Sequence, residues 1–89
     1  MKICDNFILV RRDGQNYIEC KNPSDCTLQS SVSLNETAAF LFKTLKESPK
    51  TKEELLHALL DNYEISTVLA LNDIDIFVKT LKGNGIIEE

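Results

Sequence analysis

The sequence predicts a single α+β domain, residues 1–89, in which a three-stranded antiparallel sheet is followed by three helices that cover one face of it. Three observations predict this: a turn signal at Asp13-Gly14 between two stretches rich in β-formers, the alternation Val32-Ser33-Leu34, and three later segments with helical apolar spacing. With 89 residues, 43% hydrophobic and 27% charged, the chain can build one modest core. A domain of this size buries only about 60 to 65% of its unfolded surface. Binding on an edge or in a groove is therefore expected rather than binding in an enclosed cavity.

The first apolar stretch, Phe7 to Val10, and the second, Tyr17 to Cys20, flank Asp13-Gly14. Glycine accepts the positive φ that a two-residue type I′ turn requires, and aspartate tolerates it better than most residues, so a hairpin is predicted. From Asn22 to Ser31 the chain is polar and contains Pro23, which predicts an irregular connection. Val32 and Leu34 then share one face of a short third strand, with Ser31 and Ser33 on the other. Being brief, that strand suits a sheet edge.

Asn35 fits a helix N-cap, and a first helix is predicted from about Glu36 to Lys46, with Ala38, Leu41, Phe42 and Leu45 inward and Phe40 widening that face. Pro49 ends it. Thr51-Lys52-Glu53-Glu54 forms a capping box in which Thr51 caps the backbone at Glu54 and the Glu54 carboxylate reaches back. Leu55, Leu56, Leu59, Leu60 and Tyr63 form the apolar stripe of the second helix. The third is predicted to start at Thr67 or Asn72 and end near Lys82, with Ile74, Phe77, Val78 and Leu81 inward. Gly83-Asn84-Gly85 supplies a left-handed stop, and Ile86-Ile87 is expected to pack back on the core.

Charge and cysteine usage exclude several functions. The net charge is −4, whereas nucleic-acid binding depends on lysines and arginines that displace counterions from phosphates. No apolar run reaches the length of a signal core or a membrane span, so a cytoplasmic location is expected. Cys4, Cys20 and Cys26 are odd in number and contain no CxxC pair, which predicts reduced thiols and no metal site. The only histidine, His57, falls within the second helix, and no serine or cysteine lies near a plausible base. With no phosphate-binding loop and no cofactor motif either, the chain is expected not to be an enzyme.

Ser33-Leu34-Asn35-Glu36-Thr37-Ala38-Ala39, then Thr51-Lys52-Glu53-Glu54-Leu55-Leu56, then Asp73-Ile74-Asp75-Ile76-Phe77-Val78 with Leu81 and Gly85-Ile86-Ile87, together resemble the PqqD family. The most specific piece is the Leu34 to Ala39 junction. The resemblance implies a winged-helix-like fold that binds the leader of a ribosomally synthesised precursor peptide. In such families the leader adds as an extra strand, and the domain presents the precursor to a separate radical SAM protein, cyclase or leader peptidase.

Physical chemistry permits this mechanism on its own terms, because an edge strand offers unpaired N–H and C=O groups that an extended peptide can satisfy. Carried over by position, the strand partner is Ser31, Val32, Ser33 and Leu34, and the opposite wall comes from the last helix through Asp73, Ile76, Lys79 and Thr80. At about 100° per residue, Ile76 falls away from the core stripe, beside Asn72, Lys79 and Thr80. It is apolar where the pattern asks for a polar residue. Lys82, Arg11 and Arg12 are further candidates for leader contacts. The main alternative is a winged-helix DNA-binding protein, against which stand Asp73 and Asp75 on the helix that would have to read base edges. A carrier protein lacks its Asp-Ser-Leu attachment motif here.

Overall fold

A computed structural model describes residues 1–22, 24 and 31–88. Among them are five strands and three helices: β1 (Lys2–Ile3), β2 (Phe7–Arg12), β3 (Gln15–Cys20), β4 (Val32–Leu34), α1 (Glu36–Glu47), α2 (Lys52–Asn62), α3 (Thr67–Gly83) and β5 (Ile87–Glu88). The predicted three-stranded antiparallel sheet is β2-β3-β4, with β4 at an edge.

The β2–β3 hairpin closes as predicted. Arg12 pairs with Gln15, leaving Asp13 and Gly14 as a two-residue loop with φ of 52° and 79°. Both residues are in the left-handed region that a type I′ turn demands. On β3, Ile18 is buried against the helices and sits opposite Val32, and Asn16 sits opposite Leu34. The connection predicted over residues 22–31, with Pro23, lies mostly outside the described residues.

Each helix begins at a side chain that satisfies an otherwise orphaned N–H. Asn35 caps α1, Thr51 and Glu54 form the expected capping box at α2, and Ser66 caps α3 through its hydroxyl oxygen and the Leu69 N–H. Of the two starts considered for α3, the structure takes the earlier, Thr67. Inward-facing residues are Ala39, Leu41, Phe42 and Leu45 from α1, Leu55 and Leu59 from α2, and Ala70, Ile74, Phe77 and Leu81 from α3. Ala38 and Val78 are half-buried, and Leu60 stands at the surface rather than in the stripe.

α3 ends in a left-handed turn at Gly85, φ 70°, where Ile86 N–H donates to Leu81 C=O and Gly85 N–H to Lys82 C=O. Ile86 and Leu81 are both fully buried, so this stop folds the chain back onto the core. The return also forms a feature the sequence reading did not contain: β5 pairs with β1, Ile3 opposite Ile87, as a separate two-stranded ribbon. The fold therefore has a second small sheet beside the predicted one. A further departure concerns the thiols. Cys4 is free, but Cys20 is disulfide-bonded, where reduced thiols were expected. Compartment and CxxC spacing, the grounds of that expectation, do not report what the end of β3 comes to lie beside.

Candidate peptide-binding cleft

Local chemistry fixes the junction between β4 and α1. The Asn35 side-chain oxygen accepts the Ala38 N–H at 2.8 Å and the Thr37 hydroxyl at 3.1 Å, so the chain turns from strand to helix within one residue. Between that junction and α3 lies a cleft of about 150 Å³. One wall comes from Ser33, Leu34, Asn35, Thr37 and Ala38, and the other from Asp73, Ile76, Phe77, Thr80 and Leu81. Leu34, Phe77 and Leu81 are buried and form an apolar base. Ile76 is 57% exposed on α3, an apolar side chain at the rim.

Beside this cleft, and among the described residues, β4 has a strand neighbour on one edge only, β3. Its other edge offers alternate backbone groups for pairing, as antiparallel geometry dictates. An edge strand and a cleft with an apolar base thus adjoin through shared residues, Ser33 and Leu34.

The residues singled out from the sequence divide as follows. Ser33, Leu34, Asp73, Ile76 and Thr80 line the cleft. Val32 is half-buried in the edge strand, opposite Ile18. Ser31 precedes the strand and donates its hydroxyl to the Glu19 carboxylate at 2.9 Å. Lys79 is exposed and lies outside the lining, as does Lys82. Arg12 is engaged in an ion pair with Glu19, and Arg11 approaches Glu36. The Arg12 guanidinium and the Ser31 hydroxyl together hold the Glu19 carboxyl below its ordinary range. Asn35, Thr37 and Ala38 line the cleft but were not among the predicted site residues, Asn35 being read as a cap and Ala38 as core. Their place in the Leu34 to Ala39 junction was the signal that could have added them.

A wider, shallower depression lies on α2 around Glu53, His57 and Asp61. Its lining, Lys50 to Asp61, comes from α2 and the two residues before it alone, which makes it ordinary helix surface. Among the described residues there is no cluster of three or more histidine, cysteine or acidic side chains suited to a metal ion, and no helix is long and apolar enough to cross a membrane.

A cleft beside an edge strand, on three helices and a small antiparallel sheet, defines an α+β domain of winged-helix-like architecture. The chain belongs to the PqqD family: residues 22–87 match that family, described as coenzyme PQQ synthesis protein D. Two solved structures are similar. One is TbiB1 in complex with the TbiA(beta) leader peptide, with a TM-score of 0.74 and 19% identity over 99% of this chain and 95% of that one. The other is lasso peptide synthetase B1 complexed with its leader peptide, with a TM-score of 0.71 and 20% identity over 99% of this chain and 96% of that one. At those identities the likeness establishes the fold. No curated protein matches the chain.

Proposed function

We propose that this domain binds the leader segment of a ribosomally synthesised precursor peptide and presents it to a separate modifying enzyme. The observation that carries the reading is the edge of β4 left unpaired among the described residues, alongside the cleft based on Leu34, Phe77 and Leu81. A leader entering as a fourth strand pairs its backbone with Ser31 to Leu34 and sets alternate side chains against α3. Backbone pairing gives affinity that is largely independent of sequence. The α3 wall, with Asp73, Ile76 and Thr80, gives the preference, with Lys79 beyond the rim as an outer contact. Membership of the PqqD family and the leader peptides in the two similar structures support the same reading.

On this reading the domain does no chemistry and needs no cofactor, and its partner is a radical SAM protein, a cyclase or a leader peptidase. It acts in the cytoplasm, where precursor peptides are synthesised. The Cys20 disulfide runs against a reducing compartment. A thiol count on protein purified under non-reducing conditions, with rapid alkylation, decides that point.

Calorimetry of the purified domain with the leaders of precursor peptides encoded beside its gene tests the proposal. Binding at micromolar Kd or tighter is expected, about 8 kcal/mol. Failure of every such leader, together with duplex DNA binding that weakens steeply with salt, would replace it by the nucleic-acid reading. The net charge of −4 and the presence of Asp73 as the cleft's charged residue oppose that outcome.

A further inference from the structure

Of the ten described residues that line the cleft, Asp73 alone carries a charge. No described lysine or arginine lines it, and the half-buried Asp73 carboxylate takes no part in the ion pairs Lys2–Glu88, Arg11–Glu36, Arg12–Glu19 and Lys52–Asp75. Its neighbour two residues on behaves differently, since Asp75 is paired with Lys52 across the α2–α3 seam. Within α3 the positions one turn either way from Asp73 are Leu69, Ala70, Ile76 and Phe77, none of which can supply a positive charge. A carboxylate shielded from water on one side, with an apolar base beneath it, gains from a cation brought in by the occupant of the cleft.

We propose that Asp73 is a specificity residue that selects a lysine or arginine in the bound peptide, and that this basic residue sits two positions from the apolar residue held by Ile76. The spacing follows from geometry. Asp73 and Ile76 are three residues apart on a helix, so their Cβ atoms are about 5 to 6 Å apart. Side chains on one face of an extended peptide recur every second residue, roughly 6.6 Å. One period of the strand therefore matches one step between the two α3 side chains. The same peptide face carries the apolar group and the cation, and the opposite face is left unread.

This inference rests on the peptide-binding reading, and one experiment separates the two. A displayed library of random ten-residue peptides is selected on the intact domain, and a selected sequence is then synthesised with Lys, Gln or Glu at the enriched basic position. Expected is an enriched pattern with a basic residue two positions from an apolar one. The Lys peptide should bind about fivefold tighter than the Gln peptide at low salt, the range of a partly exposed ion pair, with the ratio shrinking as salt rises.

Asp73→Asn should abolish the ratio, and Asp73→Lys should reverse it in favour of the Glu peptide. Asp75→Asn, outside the cleft, should leave it unchanged. Circular dichroism melts check that each variant folds, and the Lys-to-Gln ratio on the unaltered domain needs no variant at all. Enrichment without a basic position, or a ratio that survives in a folded Asp73→Asn protein, overturns the assignment of Asp73 and leaves peptide binding standing. No enriched sequence of any kind overturns both.

Discussion

Asn35 Oδ1 accepts the backbone N–H of Ala38 at 2.8 Å, and through that bond the one residue between β4 and α1 caps the helix. Both residues line the cleft. Strand, cap and cleft wall are thus one short segment, Ser33 to Ala38, joined by one side chain that accepts from two of its residues.

Asn35→Ala is expected to lower stability by about 1 kcal/mol, the usual worth of an N-cap, and Asn35→Asp to retain most of it. Urea denaturation measures this. Because the same side chain shapes the cleft, Asn35→Ala should also weaken leader binding at temperatures where the variant is fully folded. Equal affinity in the two proteins would separate the cap from the cleft.

Acid sensitivity follows from two carboxylates. The Arg12 guanidinium lowers Glu19 below the ordinary 4.5, helped by Ser31, and hydrogen bonding to Thr51, backbone first, does the same for Glu54. A depressed folded-state pKa means that the contribution is present above the unfolded value and is lost as pH falls through the folded one. The melting temperature should therefore fall as pH drops below about 4.5. Glu54→Gln keeps a capping-box acceptor but no titrating group, so its melting temperature should fall less steeply over that window. An identical slope in the variant would remove Glu54 from the account.

Gly14 has φ of 79° with nothing within 4 Å of where a Cβ would stand, so Gly14→Ala meets conformational strain and no clash. A loss of about 1 kcal/mol is expected, with Asp13→Gly close to neutral. Thermal denaturation of the pair tests whether the turn alone sets the hairpin register. A neutral Gly14→Ala would show that contacts between the strands, such as the diagonal Arg12–Glu19 ion pair, hold the hairpin instead.

What could be read from the sequence tracks the range of the interaction responsible. The hairpin and the α2 start were legible because Asp13-Gly14 and Thr51 to Glu54 are closed within four residues. The start of α3 was harder: Ser66 caps it, but the third helical residue is Leu69 rather than an acid, and Val68 and Leu69 are exposed and break the core pattern. The β1–β5 ribbon was not legible, since it pairs two-residue strands from opposite ends of the chain. Five of the eight candidate site residues line the cleft because edge-strand logic and helical phase are local rules. Lys79 falls outside because phase was counted from Ile76, which it neighbours at about 60°, whereas the cleft wall centres on Asp73 and Thr80 and Lys79 lies about 120° from Asp73 around α3.

The most discriminating substitution is Ile76→Glu. Val32→Pro also strikes the proposed interface, but it removes a backbone donor and distorts an edge strand opposite the buried Ile18, so lost binding there is confounded with local unfolding. Ile76 is 57% exposed and outside the buried stripe of Ile74, Phe77 and Leu81. Replacing it should change stability by no more than about 0.5 kcal/mol. Against a leader the effect should be selective: a carboxylate at the rim forfeits the apolar contact and places a second negative charge one helical turn from Asp73, costing at least about 1 to 3 kcal/mol of binding. Calorimetry and a thermal melt on the same sample distinguish the outcomes. Weak binding with an unchanged melting temperature places Ile76 in the interface. Unchanged affinity in a folded variant makes it a bystander and shifts the apolar contact to the base formed by Leu34, Phe77 and Leu81.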